Sequence, residues 1–296
     1  MRILITGSNG MLGSDLVNAL SDYELSGIGL HSNRHSQISY LQTDITNRTA
    51  LFKAFEWAKP AIVIHTAAYT DVDGCELNPH QAFLVNTKAT EYIADASNNK
   101  GTVVFFISSD YVFDGSKKTP YEETDRPNPI SVYGKSKFEA EEVLKSKSNS
   151  VIIIRSSWLF GMNGRNFFKS IVDQFSKNQP LKVVDDQKGA PTYTKDLAGG
   201  IKQLIQKNCR VRGFELYHLA NQGETTWFGA AKRLAEKIRK KISIVPTSPT
   251  ELGRPAKRPS NSVLDMSKIK NADHIELRNW KDAFDDFLEH ELRPIK

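Results

Sequence analysis

Hydrophobic residues in the first half of the chain form short runs that are separated by segments with helical spacing. The runs are apolar on both faces and predict buried strands over residues 2–5, 25–30, 61–64, 102–107 and 151–154. Between them, apolar residues recur every three or four positions and predict helices over residues 12–20, 47–58, 78–98 and 131–146. Buried strands that alternate with helices are typical of a parallel sheet covered on both faces. We therefore predict an α/β fold with a doubly wound parallel sheet of the Rossmann type.

The pattern loosens in the second half of the chain. After about residue 160, Gly, Pro, Asn and Asp become frequent, and Pro246, Pro249, Pro255 and Pro259 predict one long loop-like region. We predict a dinucleotide-binding domain over residues 1–160, to which later segments return. Residues 161–296 are expected to form mainly a smaller, substrate-binding lobe.

Composition restricts the class of protein. The 296 residues are 39% hydrophobic and 25% charged, which is ordinary for a globular chain and excludes collagen-like or wholly disordered proteins. No apolar run approaches the roughly 18 residues of a membrane span. The first apolar run stops at Gly7, short of the about 7–15 residues of a signal-peptide core. We expect a cytoplasmic protein, and the widely separated Cys75 and Cys209 argue against a disulfide scaffold or a four-cysteine zinc site.

The formal net charge of +6 suits an anionic ligand but does not require nucleic acid. Basic residues are scattered, and the densest group, over residues 233–241, is interleaved with apolar positions. This pattern predicts the solvated face of a helix. We therefore expect a small-molecule ligand, with neither nucleic acid nor a membrane as partner.

A glycine-rich loop follows the first predicted strand and opens the first predicted helix. Gly7, Gly10 and Gly13 frame it, with Met11 and Leu12 between the last two. Glycines at this spacing allow a tight turn, a close approach to a pyrophosphate and close packing of helix on sheet, while the helix N-terminus attracts the phosphates. The context after a strand and before a helix predicts a dinucleotide site.

The end of the second predicted strand indicates which dinucleotide binds. The acidic residue that commonly binds the adenosine ribose is missing from residues 29–34. Ser32 and Arg34 would suit a 2′-phosphate, which favours NADPH with NADH possible, although Arg34 alone equally fits a solvated loop residue. Asp44 is a candidate for the adenine edge or, alternatively, for a helix cap.

Tyr133 and Lys137 are four residues apart on a predicted helix and therefore share one face, whereas Lys135 points away. The spacing alone is uninformative, but the pair follows a strand that ends at Ser109, where ligands bind in this architecture. A neighbouring ammonium would lower the high pKa of a tyrosine. Tyr133 could then protonate a carbonyl oxygen that Ser109 also contacts, while Lys137 holds the nicotinamide ribose. The alternative for Tyr133 is an ordinary half-buried tyrosine.

Many segments agree in order with one known family. They cover residues 7–13, 67–76, 85–86, 108–115, 121–125, 132–135, 155–158, 166–167, 186–192, 217–219, 225–227 and 258–262. On these segments the chain resembles the dTDP-4-dehydrorhamnose reductase branch of the extended short-chain dehydrogenase/reductase family. The resemblance covers nearly the whole sequence.

The resemblance implies NADPH-dependent reduction of the 4-keto group of a nucleotide-linked 4-keto-6-deoxyhexose, as in dTDP-rhamnose and polysaccharide biosynthesis, by a monomer or homodimer. It places the catalytic set on Ser109, Tyr133 and Lys137. Cofactor contacts are implied for the glycine-rich loop and for Asp44, Ile45, Ala67, Ala68, Tyr69, Thr70 and Asn86. Substrate contacts are implied for Ser109, Asp110, Trp158, Asn166 and Arg258, with Trp158 suited to stack on a sugar and Arg258 to bind a diphosphate.

Departures from the family leave alternatives open. Ser109 stands where many relatives have Thr, which preserves the hydroxyl. Asp15 and Lys188 lie in the stretches where some relatives hold a metal with glutamates, so no metal is predicted.

The rival functions are a nucleotide-sugar epimerase or dehydratase, and a non-catalytic subunit such as the one that binds methionine adenosyltransferase. Tyr111 argues against dehydration, because dehydratases are expected to carry an acid there.

Overall fold

The computed structural model describes residues 1–175, 180–208, 211–239 and 242–292. Its strands are β1 (Arg2–Thr6), β2 (Glu24–Gly29), β3 (Ser39–Gln42), β4 (Ile62–His65), β5 (Val103–Ser109), β6 (Ser150–Ser156), β7 (Leu159–Phe160), β8 (Leu181–Val184), β9 (Lys188–Gly189), β10 (Thr192–Tyr193), β11 (Gly213–His218), β12 (Thr225–Thr226) and β13 (Ile244–Thr247). Seven of them pair in parallel in the order β11-β6-β5-β4-β1-β2-β3. This sheet confirms the predicted doubly wound fold.

Helices cover both faces of the sheet and build much of the second lobe. They are α1 (Met11–Ala19), α2 (Arg48–Ala58), α3 (Val72–Leu77), α4 (Pro79–Phe83), α5 (Ala89–Lys100), α6 (Val132–Lys147), α7 (Phe167–Phe175), α8 (Thr194–Asn208), α9 (Trp227–Lys237), α10 (Pro249–Leu252), α11 (Ser267–Asp273) and α12 (Trp280–His290). A π-helical turn spans Leu84–Lys88, and a 3₁₀ turn spans Asp110–Val112. No helix in the described ranges has both the length and the apolar content to cross a membrane.

The structure differs from the local predictions in three places. The helix expected over residues 78–98 is present as α4 and α5, but a π-helical turn joins them, where Asn86 bonds outside the helix. Strand β3 was not predicted, because it lies at the sheet edge with half-exposed and exposed residues. The region expected to be one long loop contains β13 and α10. Strand β13 forms because it pairs with β8, although it contains Pro246.

Successive side chains of each strand point to opposite faces of the sheet and so divide the hydrophobic core into two parts. On β5, Val103, Phe105 and Ile107 pack with α1 and α8 on one face. Val104 and Phe106 pack with α2, α5 and α6 on the other face. The sheet core thus includes α8 and β11 from the second half of the chain, while the domain boundary near residue 160 stays a prediction.

The second lobe has its own aromatic core. Phe160, Phe168, Tyr193, Phe284 and Phe287 form a connected group of ring contacts with centroid separations from 4.4 to 6.3 Å. These residues come from β7, α7, β10 and α12, so the core joins segments that lie far apart in sequence. This lobe lies next to the end of β6, from which β7 follows after two residues.

The basic group over residues 233–241 begins on α9, where Arg233 and Lys237 both pair with Asp285. Lys240 and Lys241 lie outside the described residues, and so does Cys209. Cys75 is a buried free thiol.

A buried ion pair joins α6 to the sheet. Arg155 on β6 makes two hydrogen bonds to Glu141 on α6, from Nε to Oε1 at 2.9 Å and from Nη2 to Oε2 at 2.6 Å. The Ser108 hydroxyl on β5 also donates to Glu141 Oε1, at 2.5 Å. Both charged side chains are almost fully buried, at 1% and 0% exposure. Because the pair is desolvated, removing one partner leaves a buried charge uncompensated.

Replacing Arg155 with methionine should therefore lower the free energy of unfolding by about 3–5 kcal/mol, because Glu141 loses its partner. Chemical denaturation followed by circular dichroism measures this loss. Lys188→Met is the matched control, since its pair with Glu224 is exposed and is worth about 0–1 kcal/mol. Equal losses in the two variants would contradict the assigned role of the buried pair.

Candidate active site

A cavity of about 1050 Å³ runs from the glycine-rich loop to the second lobe. Most of the residues predicted for the site line it: Gly7, Gly10, Met11, Leu12, Gly13, Arg34, Asp44, Ile45, Ala67, Ala68, Thr70, Ser109, Asp110, Tyr133, Lys137, Trp158 and Arg258. Ser32, Tyr69, Asn86 and Asn166 are not on its wall. Tertiary folding thus brings together residues separated by up to about 250 positions in the chain.

The glycine-rich loop has the geometry of a phosphate cradle. Gly7 adopts a left-handed φ of 68°, and a Cβ on Gly13 would lie 2.1 Å from the Gly7 carbonyl oxygen. Helix α1 begins at Met11, and no side chain caps its N-terminus at Gly10. The first backbone N–H groups and the positive end of the helix dipole are therefore available to an anion. This arrangement fits the pyrophosphate of a dinucleotide cofactor.

The loop after β2 is attached to the glycine-rich loop through Asn9. The Asn9 side chain donates to the Ser32 carbonyl at 2.9 Å and accepts from the Arg34 backbone N–H at 3.1 Å. These bonds fix the backbone of the loop, and His31 and Arg34 line the cavity. An imidazole and a guanidinium without a nearby strand-end carboxylate suit a 2′-phosphate.

Asp44 is not the cap of the following helix. Asn47 caps α2 by accepting from the Ala50 N–H at 3.0 Å, whereas Asp44 accepts from the N–H and hydroxyl of Thr46. Of the two alternatives for Asp44, the structure supports the position on the cavity wall.

The two elements that carry Ser109, Tyr133 and Lys137 meet at the cavity. Ser109 ends β5, and its side chain caps the following 3₁₀ turn. Tyr133 and Lys137 share one face of α6, while Lys135 is exposed, as expected. The Lys137 ammonium donates to the Ile107 carbonyl at 2.7 Å and lies 4.0 Å from the centre of the Phe106 ring. Burial lowers the pKa of Lys137 to about 7, although Glu141 raises it.

Burial also governs the titration of Tyr133. It raises the pKa of the phenol well above its ordinary value, and a hydrogen bond with Ser109 only partly lowers it. The expected lowering of this pKa by Lys137 is therefore wrong for this structure. The ammonium is bound to a backbone carbonyl, and desolvation is the largest effect on the phenol.

The second lobe supplies the far end of the cavity. Trp158 has a left-handed φ of 46°, a costly conformation for a bulky residue, and its indole stacks on Trp227 at 3.5 Å between centroids. One face of the ring expected to meet a sugar is thus covered by Trp227. Arg258 lines the cavity, and its Nη2 also pairs with Asp73 at 2.8 Å.

The predicted residues off the wall support the structure around it. Asn86 is buried, and its side chain accepts from the Tyr69 N–H at 2.7 Å and donates to the Tyr69 carbonyl at 3.1 Å. Asn166 donates to the Gly161 carbonyl at 2.7 Å and accepts from the Lys169 N–H at the start of α7. Both amides therefore hold backbone in place.

Known proteins resemble this chain over nearly its whole length. The family model described as RmlD substrate binding domain matches residues 1–293. A dTDP-4-dehydrorhamnose reductase of Aggregatibacter actinomycetemcomitans is 36% identical, over 95% of this chain and 96% of its own length. Another, from Sinorhizobium fredii, is 34% identical over 96% of this chain and 95% of its own.

The chain belongs to the RmlD substrate-binding domain family. A solved dTDP-4-dehydrorhamnose reductase of Bacillus anthracis, in complex with NADP, is 32% identical. Its TM-score is 0.87, and the match covers 97% of this chain and 98% of that one.

Sequence reasoning missed several wall residues of this family member. Tyr111 and Trp227 lie within segments that carry the family resemblance, but neither was assigned a role. Arg254 lies in the proline-rich region and carried no signal of its own, because only folding brings it beside the end of β5.

We predict that Gly13→Ala weakens binding of NADPH by at least about tenfold, which is 1.4 kcal/mol, because the new Cβ meets the Gly7 carbonyl. Isothermal calorimetry measures the affinity. Gly199→Ala on α8 is the control, since its new Cβ would point into open space, with nothing beyond its chain neighbours and the nearby backbone of its own helix within 4 Å. Retained affinity in Gly13→Ala would remove the loop from the cofactor site.

Arg34→Ala should weaken NADPH by about tenfold while changing NADH little, because only NADPH carries the 2′-phosphate and a charged hydrogen bond is worth roughly 1.5–3 kcal/mol. The ratio of the two dissociation constants is the measurement. Arg212, exposed and away from the cavity, provides the control Arg212→Ala. An unchanged ratio would return Arg34 to the alternative of a solvated loop residue.

Proposed function

We propose that this chain reduces the 4-keto group of a nucleotide-linked 4-keto-6-deoxyhexose with NADPH, converting dTDP-4-dehydro-L-rhamnose to dTDP-L-rhamnose, and that Tyr133 donates the proton. The observation that carries the proposal is that Ser109, Tyr133 and Lys137 line the same cavity as the glycine-rich loop. The names of the relatives and the NADP-bound neighbour support the reaction class and the cofactor.

When bound, NADPH supplies a hydride to the carbonyl carbon of the sugar. The keto oxygen then gains negative charge, which a proton must neutralise. The Tyr133 hydroxyl is the donor in this proposal, and its raised pKa keeps the phenol protonated before the reaction. The Ser109 hydroxyl stabilises the same oxygen by hydrogen bonding.

Lys137 acts on the cofactor side of the site. Its ammonium is held by the Ile107 carbonyl at the wall, close to the helix face that carries Tyr133. A bound nicotinamide ribose would offer hydroxyl groups to this donor. Negative charge on a phenolate would also favour the protonated form of Lys137 during the reaction.

The diphosphate and the sugar are assigned to the end of the cavity formed with the second lobe. Arg258 and the neighbouring Arg254 provide guanidinium groups that match phosphate oxygens. Trp158 and Trp227 provide an apolar aromatic surface next to them. The acidic residue needed for dehydration has no counterpart at Tyr111, which supports reduction over dehydration.

Purified protein should consume NADPH when it is mixed with dTDP-4-dehydrorhamnose, as followed by nicotinamide absorbance. NMR of the product identifies the sugar, and a panel of keto-sugars with other nucleotides defines the preference. Absence of turnover across the panel, together with tight binding to another protein, would support the regulatory alternative instead.

Tyr133→Phe should lower kcat by about 10²–10⁴, because it removes the proton donor and little else. The dissociation constant for NADPH should stay close to that of the wild type, as measured by calorimetry. Tyr92→Phe on α5 is the control, because Tyr92 is away from the cavity. A kcat near that of the wild type in Tyr133→Phe would exclude Tyr133 as the donor.

A further inference from the structure

Asp110 is a buried acid directly behind the proposed catalytic hydroxyl. It begins the 3₁₀ turn after β5 and is 2% exposed, although it borders the cavity. Its Oδ1 accepts a hydrogen bond from the Ser109 hydroxyl at 3.0 Å. Its Oδ2 is buried without a close hydrogen-bond partner among the described residues. A carboxylate in such a place is costly, which favours the neutral acid.

The hydrogen bonds of Ser109 leave no proton for a keto oxygen in this arrangement. A serine hydroxyl has one donor and two acceptor positions. The donor is directed at Asp110, and one acceptor position receives the Tyr111 backbone N–H at 3.1 Å. The Ser109 proton is therefore directed at Asp110 and away from a keto oxygen.

We propose that Asp110 is a positioning residue that sets the direction of the Ser109 hydroxyl, and that only its neutral form releases the Ser109 proton toward the keto oxygen. This inference rests on the proposed function. It concerns hydrogen-bond direction, and it adds no covalent step to the reduction.

The neutral acid reverses one hydrogen bond. Its own carboxyl proton is donated to the Ser109 oxygen, which is then an acceptor from both Asp110 and the Tyr111 N–H. The Ser109 proton is then free to turn to the keto oxygen, to which Tyr133 also donates its proton in the proposed function.

Several groups face Asp110, and they determine its titration. Burial raises the pKa of Asp110 to about 7, while the hydroxyls of Ser262 and Ser109 lower it. The other titratable or charged groups nearby are Tyr111 on the same turn, Tyr133 on α6, Arg254 and Arg258 beyond Tyr111, and Lys137 on the cavity wall. The neutral form dominates below about pH 7, so activity should fall as the pH rises through that value.

The test is the pH dependence of kcat in three variants at saturating NADPH and keto-sugar. In the wild type, kcat should fall about tenfold between pH 6 and pH 8, as the neutral fraction falls. In Asp110→Asn, kcat should no longer fall between pH 6 and pH 8, because the amide donates to Ser109 at every pH. Ser262→Ala should move the fall to higher pH, since a hydroxyl that lowers the pKa is removed. The double variant should behave like Asp110→Asn.

Three outcomes would overturn the proposal. If kcat of Asp110→Asn still falls tenfold between pH 6 and pH 8, the group that titrates is Lys137 rather than Asp110. If Asp110→Asn lowers kcat by the same factor at every pH and the fall with pH remains, the role of Asp110 is purely structural. If Asp110→Asn is inactive while it folds and binds NADPH like the wild type, the Asp110 carboxylate anion is required.

Carbon NMR of the labelled aspartate carboxyl separates this inference from the proposed function, because it needs no turnover. A titration near pH 7 in the wild-type protein supports the neutral acid even if the keto-sugar is not reduced. A titration near the ordinary value of about 4 overturns the inference even if the sugar is reduced.

Discussion

The packing of α6 against the ends of β5 and β6 is the contact on which the site depends. Glu141 on α6 bonds to Arg155 on β6 and to Ser108 on β5, within a part of the protein that excludes water. Tyr133 and Lys137 lie about two turns and one turn before Glu141 on the same helix, and Ser109 follows Ser108 on the same strand. One desolvated ion pair therefore fixes the position of the phenol and the ammonium relative to the serine hydroxyl. A buried ion pair contributes little net stability, but it forms only when the two side chains are correctly oriented.

A second polar chain connects the same helix to the glycine-rich loop. The Thr6 hydroxyl bonds to His65 at 2.8 Å, and His65 bonds to Thr90 at 3.0 Å. Thr90 donates to the carbonyl of Asn86, whose side chain donates to the Ser136 hydroxyl at 2.9 Å. Burial lowers the pKa of His65 to about 3, so the chain consists of neutral groups. The π-helical turn places Asn86 where it can serve both the loop at Tyr69 and α6.

The far end of the cavity depends on contacts between segments rather than on a single motif. Trp158 belongs to the turn after β6, and Trp227 begins α9 in the second lobe. Their indoles stack, and Phe167 of α7 lies 4.5 Å from Trp227. Arg254 and Arg258 approach from the segment after α10. Such a wall can change in shape without disturbing the sheet, and binding residues are commonly found on loops that a rigid scaffold positions.

The layered fold, the glycine-rich loop and the shared face of Tyr133 and Lys137 could all be predicted before the structure was known, because they depend on local spacing and on alternation along buried strands. The sequence did not reveal that Asn47 rather than Asp44 caps α2, that Asn86 and Asn166 hold backbone, or that Arg254 reaches the cavity. Nor did it reveal that burial raises the pKa of Tyr133 despite the nearby lysine, since desolvation has no local signature. These points emerge only in the folded protein, because the solvent exposure and the partners of each polar group depend on segments that lie far apart in the chain.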